Sequence, residues 1–116
     1  MTNPKVSIIN VKELKALLDS DPKLCLIDVR EAEEWQEGRI PGAIHIAKDS
    51  ITTLIKSKVT DITQPIYLHC RSGMRSLFAA QCLLDMGYQQ VYSVDGGIVD
   101  WASCGYPIET EVEKEA

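Results

Sequence analysis

The sequence predicts an α/β domain: a mostly parallel central sheet with helices on both faces. Three observations carry that prediction. Short apolar runs rich in β-formers alternate with segments of helical periodicity along the whole chain. Two of those runs, LCLIDV and IYLH, are continuous rather than alternating, as in strands buried on both faces. Glycine and proline stand at the boundaries between the two kinds of segment. A length of 116 residues suits one domain.

Taken in order, Asn10 is an N-cap type with Glu13 three residues on, the pattern of a capping box. Val11, Leu14, Leu17 and Leu18 follow at helical spacing to about Ser20. Leu24 to Val29 is a buried strand. Glu31 to Glu37 is a short helix stopped by Gly38. Ile40-Pro41-Gly42 is a turn before a short strand, Ala43 to Ile46. Ser50 to Lys58 is helical, with Ile51, Leu54 and Ile55 on one face. Pro65 punctuates, and Ile66 to His69 is the next buried strand. Ser76 to Met86 is a helix that turns Leu77, Ala80, Leu83 and Leu84 inward and ends at Gly87. Val91 to Val94 is a strand, and Gly96-Gly97 turns into a short helix containing Trp101. Residues 1–108 form the domain. Residues 109–116, ETEVEKEA, read as a frayed acidic tail.

The net charge of −5 argues against nucleic acid or an anionic membrane as partner, since both need a basic face. No apolar run approaches the ~20 residues of a spanning helix, and the first residues lack the apolar stretch of a signal peptide. A cytoplasmic location is expected. Of the four cysteines, none forms a C-x-x-C pair, so neither a dithiol redox motif nor a zinc-ribbon spacing is present. Cys25 and Cys82 lie inside apolar segments and read as small hydrophobes. Cys104 reads as a loop residue, equally a bystander or a thiol able to resolve an oxidised Cys70.

Cys70 has a different setting. It ends a strand, and Arg71-Ser72-Gly73-Met74-Arg75-Ser76 lead into a helix. Such a crossover aims loop and first-turn amides at one point, and the helix dipole adds positive potential there. Gly73 lets the loop curl without a Cβ in the way. A sulfur at that point is favoured as thiolate, the nucleophilic form. Arg71 and Arg75 can bind an anionic cluster of oxygens. The plainer readings are a buried thiol, a packed His69 facing away from the loop, and two solvated arginines. Arginine at a helix start opposes the dipole, which makes the last reading less comfortable.

With these residues in view, the chain resembles the single-domain rhodaneses, a family of sulfurtransferases. Leu26-Ile27-Asp28-Val29-Arg30, Glu34-Trp35 and Gly38-Arg39-Ile40-Pro41-Gly42-Ala43-Ile44-His45-Ile46 are similar to the family's amino-terminal signature. Residues Cys70 to Ser76 match its active-site loop. Gly96-Gly97, Trp101 and Gly105-Tyr106-Pro107 resemble its carboxyl-terminal signature. Asp28 is expected to tie neighbouring loops by hydrogen bonds, and Arg30 and Glu34 to pair across a helical turn. Trp35 and Trp101 are expected to be structural.

The resemblance implies sulfane-sulfur transfer from thiosulfate or a similar small anionic donor, through a Cys70 persulfide, to cyanide or a thiol, a protein thiol included. No metal or organic cofactor is implied. The amides from Arg71 to Ser76 would stabilise the terminal sulfur, and Arg71 and Arg75 the sulfonate. A persulfide carrier serving one protein acceptor is a neighbouring reading, and a non-catalytic binding module a more distant one. A phosphatase or arsenate reductase is the nearest rival of another chemistry and ranks well below the sulfurtransferase. Phosphatase loops of the cysteine, five residues, arginine type put arginine sixth after the cysteine, where this chain has Ser76, with Arg75 one residue early. The lack of a second covering domain predicts an open site.

Overall fold

The computed structural model describes residues 5–110. Five strands and five helices alternate: β1 (Ser7–Ile9), α1 (Val11–Ser20), β2 (Leu26–Asp28), α2 (Ala32–Glu37), β3 (Ile44–His45), α3 (Ile51–Lys58), β4 (Ile66–His69), α4 (Met74–Asp85), β5 (Val91–Val94) and α5 (Gly97–Ser103). A turn of 3-10 helix, Lys48–Ser50, leads into α3. All five strands are parallel, in the order β1-β5-β4-β2-β3. The parallel α/β expectation holds.

Local chemistry sets several boundaries where the sequence placed them. Asn10 Oδ1 accepts the Glu13 amide at 2.8 Å and Glu13 Oε1 accepts the Asn10 amide at 2.9 Å, closing the capping box. Strand β1 was not expected. It is three residues long at the sheet edge, with Ile8 exposed, so it shows no buried run.

Side-chain parity along the strands divides the core into two layers. In β4, Ile66, Leu68 and then Cys70 face the layer closed by α3 and α4, with Ile27, Val29, Ile55, Ala80 and Leu83. Tyr67 faces the other layer, closed by α1 and α5, with Leu14, Leu26 and Trp101. Each layer is continuous and buried, which accounts for the absence of polar alternation in β2 and β4.

The inward assignment of Leu77 is corrected, and Leu54 lies more open than the face it was expected to share with Ile51 and Ile55. Leu54 and Leu77 are 44% and 42% exposed, because the short helices α3 and α4 bury only a narrow stripe: Ile51 and Ile55 on one, Ala79, Ala80, Leu83 and Leu84 on the other. At the chain's end, the expected tail begins with a residue that is paired. Glu109 and Arg39 exchange two backbone hydrogen bonds of 2.8 Å in an isolated antiparallel bridge. The rest of that tail from residue 111, like residues 1–4, lies outside the described residues.

Because every strand runs the same way, all carboxyl ends open on one side. The chain leaves β2 toward β3 at one edge and leaves β4 toward β5 in the opposite direction. The crevice between adjacent β2 and β4 is therefore the switch point at which parallel sheets bind ligands. Cys70 follows β4 there.

Candidate active site

Below the site lies a buried polar brace. Register pairs Asp28 of β2 with His69 of β4, both fully buried. Asp28 accepts the Arg30 amide at 3.0 Å and the Arg30 guanidinium at 2.7 Å, and Arg30 also donates to the Gly38 carbonyl at 2.6 Å. Asp28 thus ties the β2–α2 turn, as expected. The expected Arg30–Glu34 pair does not form, since Arg30 turns inward to the deeper carboxylate. His69 faces away from the loop, its Nε2 3.6 Å from Asp28 Oδ2. Burial holds its pKa down against the field of Asp28.

Above this brace the loop closes around the Cys70 sulfur. Gly73, the N-cap of α4, has φ +118°, open to glycine and costly for other residues. This turn brings the Gly73 amide to 3.1 Å from Sγ and the Ser76 amide to 3.4 Å. The thiol donates to Ser76 Oγ at 3.7 Å. Burial pushes the Cys70 pKa up. The Ser76 amide and hydroxyl and the amides of Gly73 and Ser72 pull it down and prevail, so the thiol ionises below its ordinary value.

Of the expected site residues, the loop brings the Gly73 and Ser76 amides onto the sulfur, with the Ser72 amide contributing less. Arg71, Ser72 and Met74 stand at the exposed rim, Met74 being 77% exposed. Arg75 is engaged elsewhere. Its guanidinium grips Glu34 through two bonds, Nη1 to Oε1 at 2.7 Å and Nη2 to Oε2 at 2.9 Å. This bond, helped by the Glu31 amide bond to Glu34 Oε1, holds the Glu34 carboxyl down to about 2. The pair ties α2 to the active loop and balances an arginine that would otherwise oppose the α4 dipole. Arg75 thus acts on Cys70 through its field, and its fork already holds a carboxylate. The expected openness is confined to the rim, since Cys70 itself is fully buried.

The site also rests on residues that sequence reading passed over. Ile98 and Val99, in the first turn of α5, donate their amides to the Cys70 and Arg71 carbonyls at 3.0 and 3.1 Å. Gly97 makes that approach possible: a Cβ there would lie 2.4 Å from the Cys70 oxygen and 2.6 Å from that of Arg71. Ser93, fully buried on β5, shares a 2.7 Å hydrogen bond with Ser76 Oγ. Its signal was a polar residue within the apolar strand VYSV. Glu34 carried no signal as the partner of an arginine 41 residues away.

The two tryptophans are structural. Trp101 is buried and donates to the Pro107 carbonyl at 2.7 Å. Trp35 stacks with His45, and the Arg39 guanidinium lies over its ring. Cys104 sits at the far end of α5, roughly 10 Å of helix from the turn that touches Cys70.

A family model described as "Rhodanese-like domain" matches residues 10–104. Among solved structures, a rhodanese-like domain protein from Staphylococcus aureus is 28% identical at TM-score 0.78, covering 92% of this chain and 100% of that one. A protein of unknown function from Rhodopseudomonas palustris, described as a possible tyrosine phosphatase, is 26% identical at TM-score 0.82, covering 90% of this chain and 85% of that one. A thiosulfate sulfurtransferase from Pseudomonas aeruginosa shares the fold at TM-score 0.83 and 24% identity, over 94% of this chain. This chain spans 21% of that protein's length.

Proposed function

The chain belongs to the family of rhodanese-like domains, and on that premise we propose that it transfers sulfane sulfur through a persulfide on Cys70. The observation that carries this reading is a fully buried sulfur held by loop amides at 3.1 and 3.4 Å. Those donors supply the stabilisation that a general base supplies to other nucleophiles.

In the first half-reaction the Cys70 thiolate attacks the outer sulfur of thiosulfate. A sulfur–sulfur bond forms to Cys70, the bond to the sulfonate sulfur breaks, and sulfite leaves with its electron pair. The enzyme then carries Cys70–S–S⁻, and total charge is unchanged. In the second, cyanide or a thiolate attacks the outer sulfur, giving thiocyanate or a new persulfide and restoring the thiolate. The terminal sulfur is anionic throughout, and the amides of Ser72, Gly73 and Ser76 are its counterpart. Arg71 at the rim meets the sulfonate, and Arg75 contributes charge while bound to Glu34. The natural donor is a small anion, and the acceptor a thiol reaching Cys70 past the exposed Met74. A cytoplasmic location suits such an acceptor.

A phosphatase is the second reading, favoured by the description of the Rhodopseudomonas relative. The loop weighs against it: Arg75 comes one residue early for a phosphate cradle, and its guanidinium already holds a carboxylate.

The test is intact mass after incubation with thiosulfate and removal of excess. One added sulfur on the wild type is expected, absent from Cys70→Ser and released as thiocyanate by cyanide. An unchanged mass, together with hydrolysis of an aryl phosphate, would replace this reading with the second.

A further inference from the structure

Behind the nucleophile lies a pair of buried hydroxyls. Ser76 Oγ has one proton and three neighbours that can take it: the Gly73 carbonyl at 3.2 Å, Ser93 Oγ at 2.7 Å and the Cys70 sulfur at 3.7 Å. Ser93 Oγ, 1% exposed with its residue, has Ser76 as its one hydrogen-bond partner among the described residues. Its proton is therefore free to point toward or away from Ser76.

We propose that Ser93 is a positioning residue that reverses the Ser76 hydroxyl when Cys70 becomes anionic. While Cys70 is a thiol, S–H donates to Ser76 Oγ and the Ser76 proton serves Gly73 or Ser93. When the sulfur loses its proton it becomes an acceptor, and Ser76 must aim its one proton at the sulfur. The short Ser76–Ser93 bond then survives only with Ser93 donating. The resulting chain, Ser93 O–H to Ser76 O–H to sulfur, is polarised in one direction. Each bond strengthens the next in a buried setting. The same arrangement serves the anionic persulfide, so the two rotors turn with the charge state and no proton enters or leaves the pair.

Charged neighbours of the sulfur do not change with this rotation. Arg75, whose pKa is raised first by its bond to Glu34, also lies within the field of Cys70, and Arg71 is next in the chain. From the β5–α5 turn, Asp95 approaches Gly73, with Oδ1 3.7 Å from where a Gly73 Cβ would stand. His69 faces the opposite side of β4. Substituting Ser93 leaves all four in place.

This inference rests on Cys70 being the nucleophile of the proposed reaction, so the test reads the thiolate itself and not sulfur transfer. The rate of Cys70 alkylation by iodoacetamide is followed against pH, with the modified cysteine assigned by peptide mass. In Ser93→Ala the midpoint is expected to rise by roughly half a unit to one unit, as one bond in the chain weakens. The rate at high pH should be retained within about twofold, since thiolate nucleophilicity changes little for a shift of that size. In a Ser76→Ala background Ser93→Ala should add no further shift, because the link to the sulfur is gone. The pair Ser93→Thr and Ser93→Val, similar in volume, guards against a packing artefact, with Thr keeping the wild-type midpoint and Val raising it. A midpoint unmoved by Ser93→Ala, an equal shift in both backgrounds, or identical midpoints for Thr and Val would each overturn the proposal. Sulfur loading by thiosulfate is measured separately, so its failure with the midpoint shift intact would fault the donor and leave the relay standing.

Discussion

Gly97→Ala is expected to destabilise the domain and disable the site at once. Gly97 has φ +54°, where a Cβ costs about 1–2 kcal/mol. The added carbon would lie 2.4 Å from the Cys70 oxygen, 2.6 Å from the Arg71 oxygen and 2.7 Å from the Arg71 carbonyl carbon. These are backbone atoms that no rotamer can move aside. Forcing apart a packed interior costs about 1–3 kcal/mol. The total is about 2–5 kcal/mol, and the bonds from Ile98 and Val99 are stretched in the process. For a domain of this size that lowers Tm by roughly 8–20 °C. Gly42→Ala is the control. Its φ is +89°, but nothing lies within 4 Å of the added carbon, so the backbone cost alone applies. Urea unfolding of the two variants isolates the contact. Below the melting temperature, the displaced carbonyls should misplace the loop amides and lower sulfur loading about tenfold or more. If the two variants unfold at the same urea concentration, or Gly97→Ala loads sulfur as the wild type does, the α5 turn does not brace the loop as described.

Three further expectations concern charge. Glu34 has a folded-state pKa of about 2, below its unfolded value, so between about 2 and 4.5 the unfolded chain binds the extra proton. Its stabilisation is full above that window and is lost as pH falls through it. The pair is a quarter exposed, so Glu34→Gln should cost about 1 kcal/mol at neutral pH and nothing near pH 2, measured by urea unfolding. The lowered Cys70 pKa has the same sign. The unfolded thiol holds its proton to higher pH, so wild-type stability relative to Cys70→Ser should rise as pH climbs toward 9.0, the ordinary thiol value. A flat difference across that range would deny a stabilised thiolate. Arg30→Ala strands the buried Asp28 carboxylate and should cost about 3–5 kcal/mol in denaturant, while Lys15→Ala, whose pair with Asp19 is at the surface, should cost under about 1 kcal/mol.

The sequence by itself determined what short-range forces decide. The capping box at Asn10 and Glu13, the strands Ile66–His69 and Val91–Val94, and the parallel α/β class follow from local hydrogen bonding and from runs too apolar to face water. The loop after Cys70 was readable for the same reason, since Gly73 and the start of α4 lie within six residues of the sulfur. Tertiary structure decided the rest. Leu54 and Leu77 fit the helical period, yet the layer had room only for their neighbours. Strand β1 exists because β5 offers it an edge. Arg75 took Glu34 from another helix, and Ser76 took Ser93 from β5. A nucleophile can be recognised from the few residues around it, because backbone amides are supplied by the loop itself. The groups that set its charge and brace its loop come from distant segments, and only the packing of β2, β4 and β5 brings them within hydrogen-bond reach.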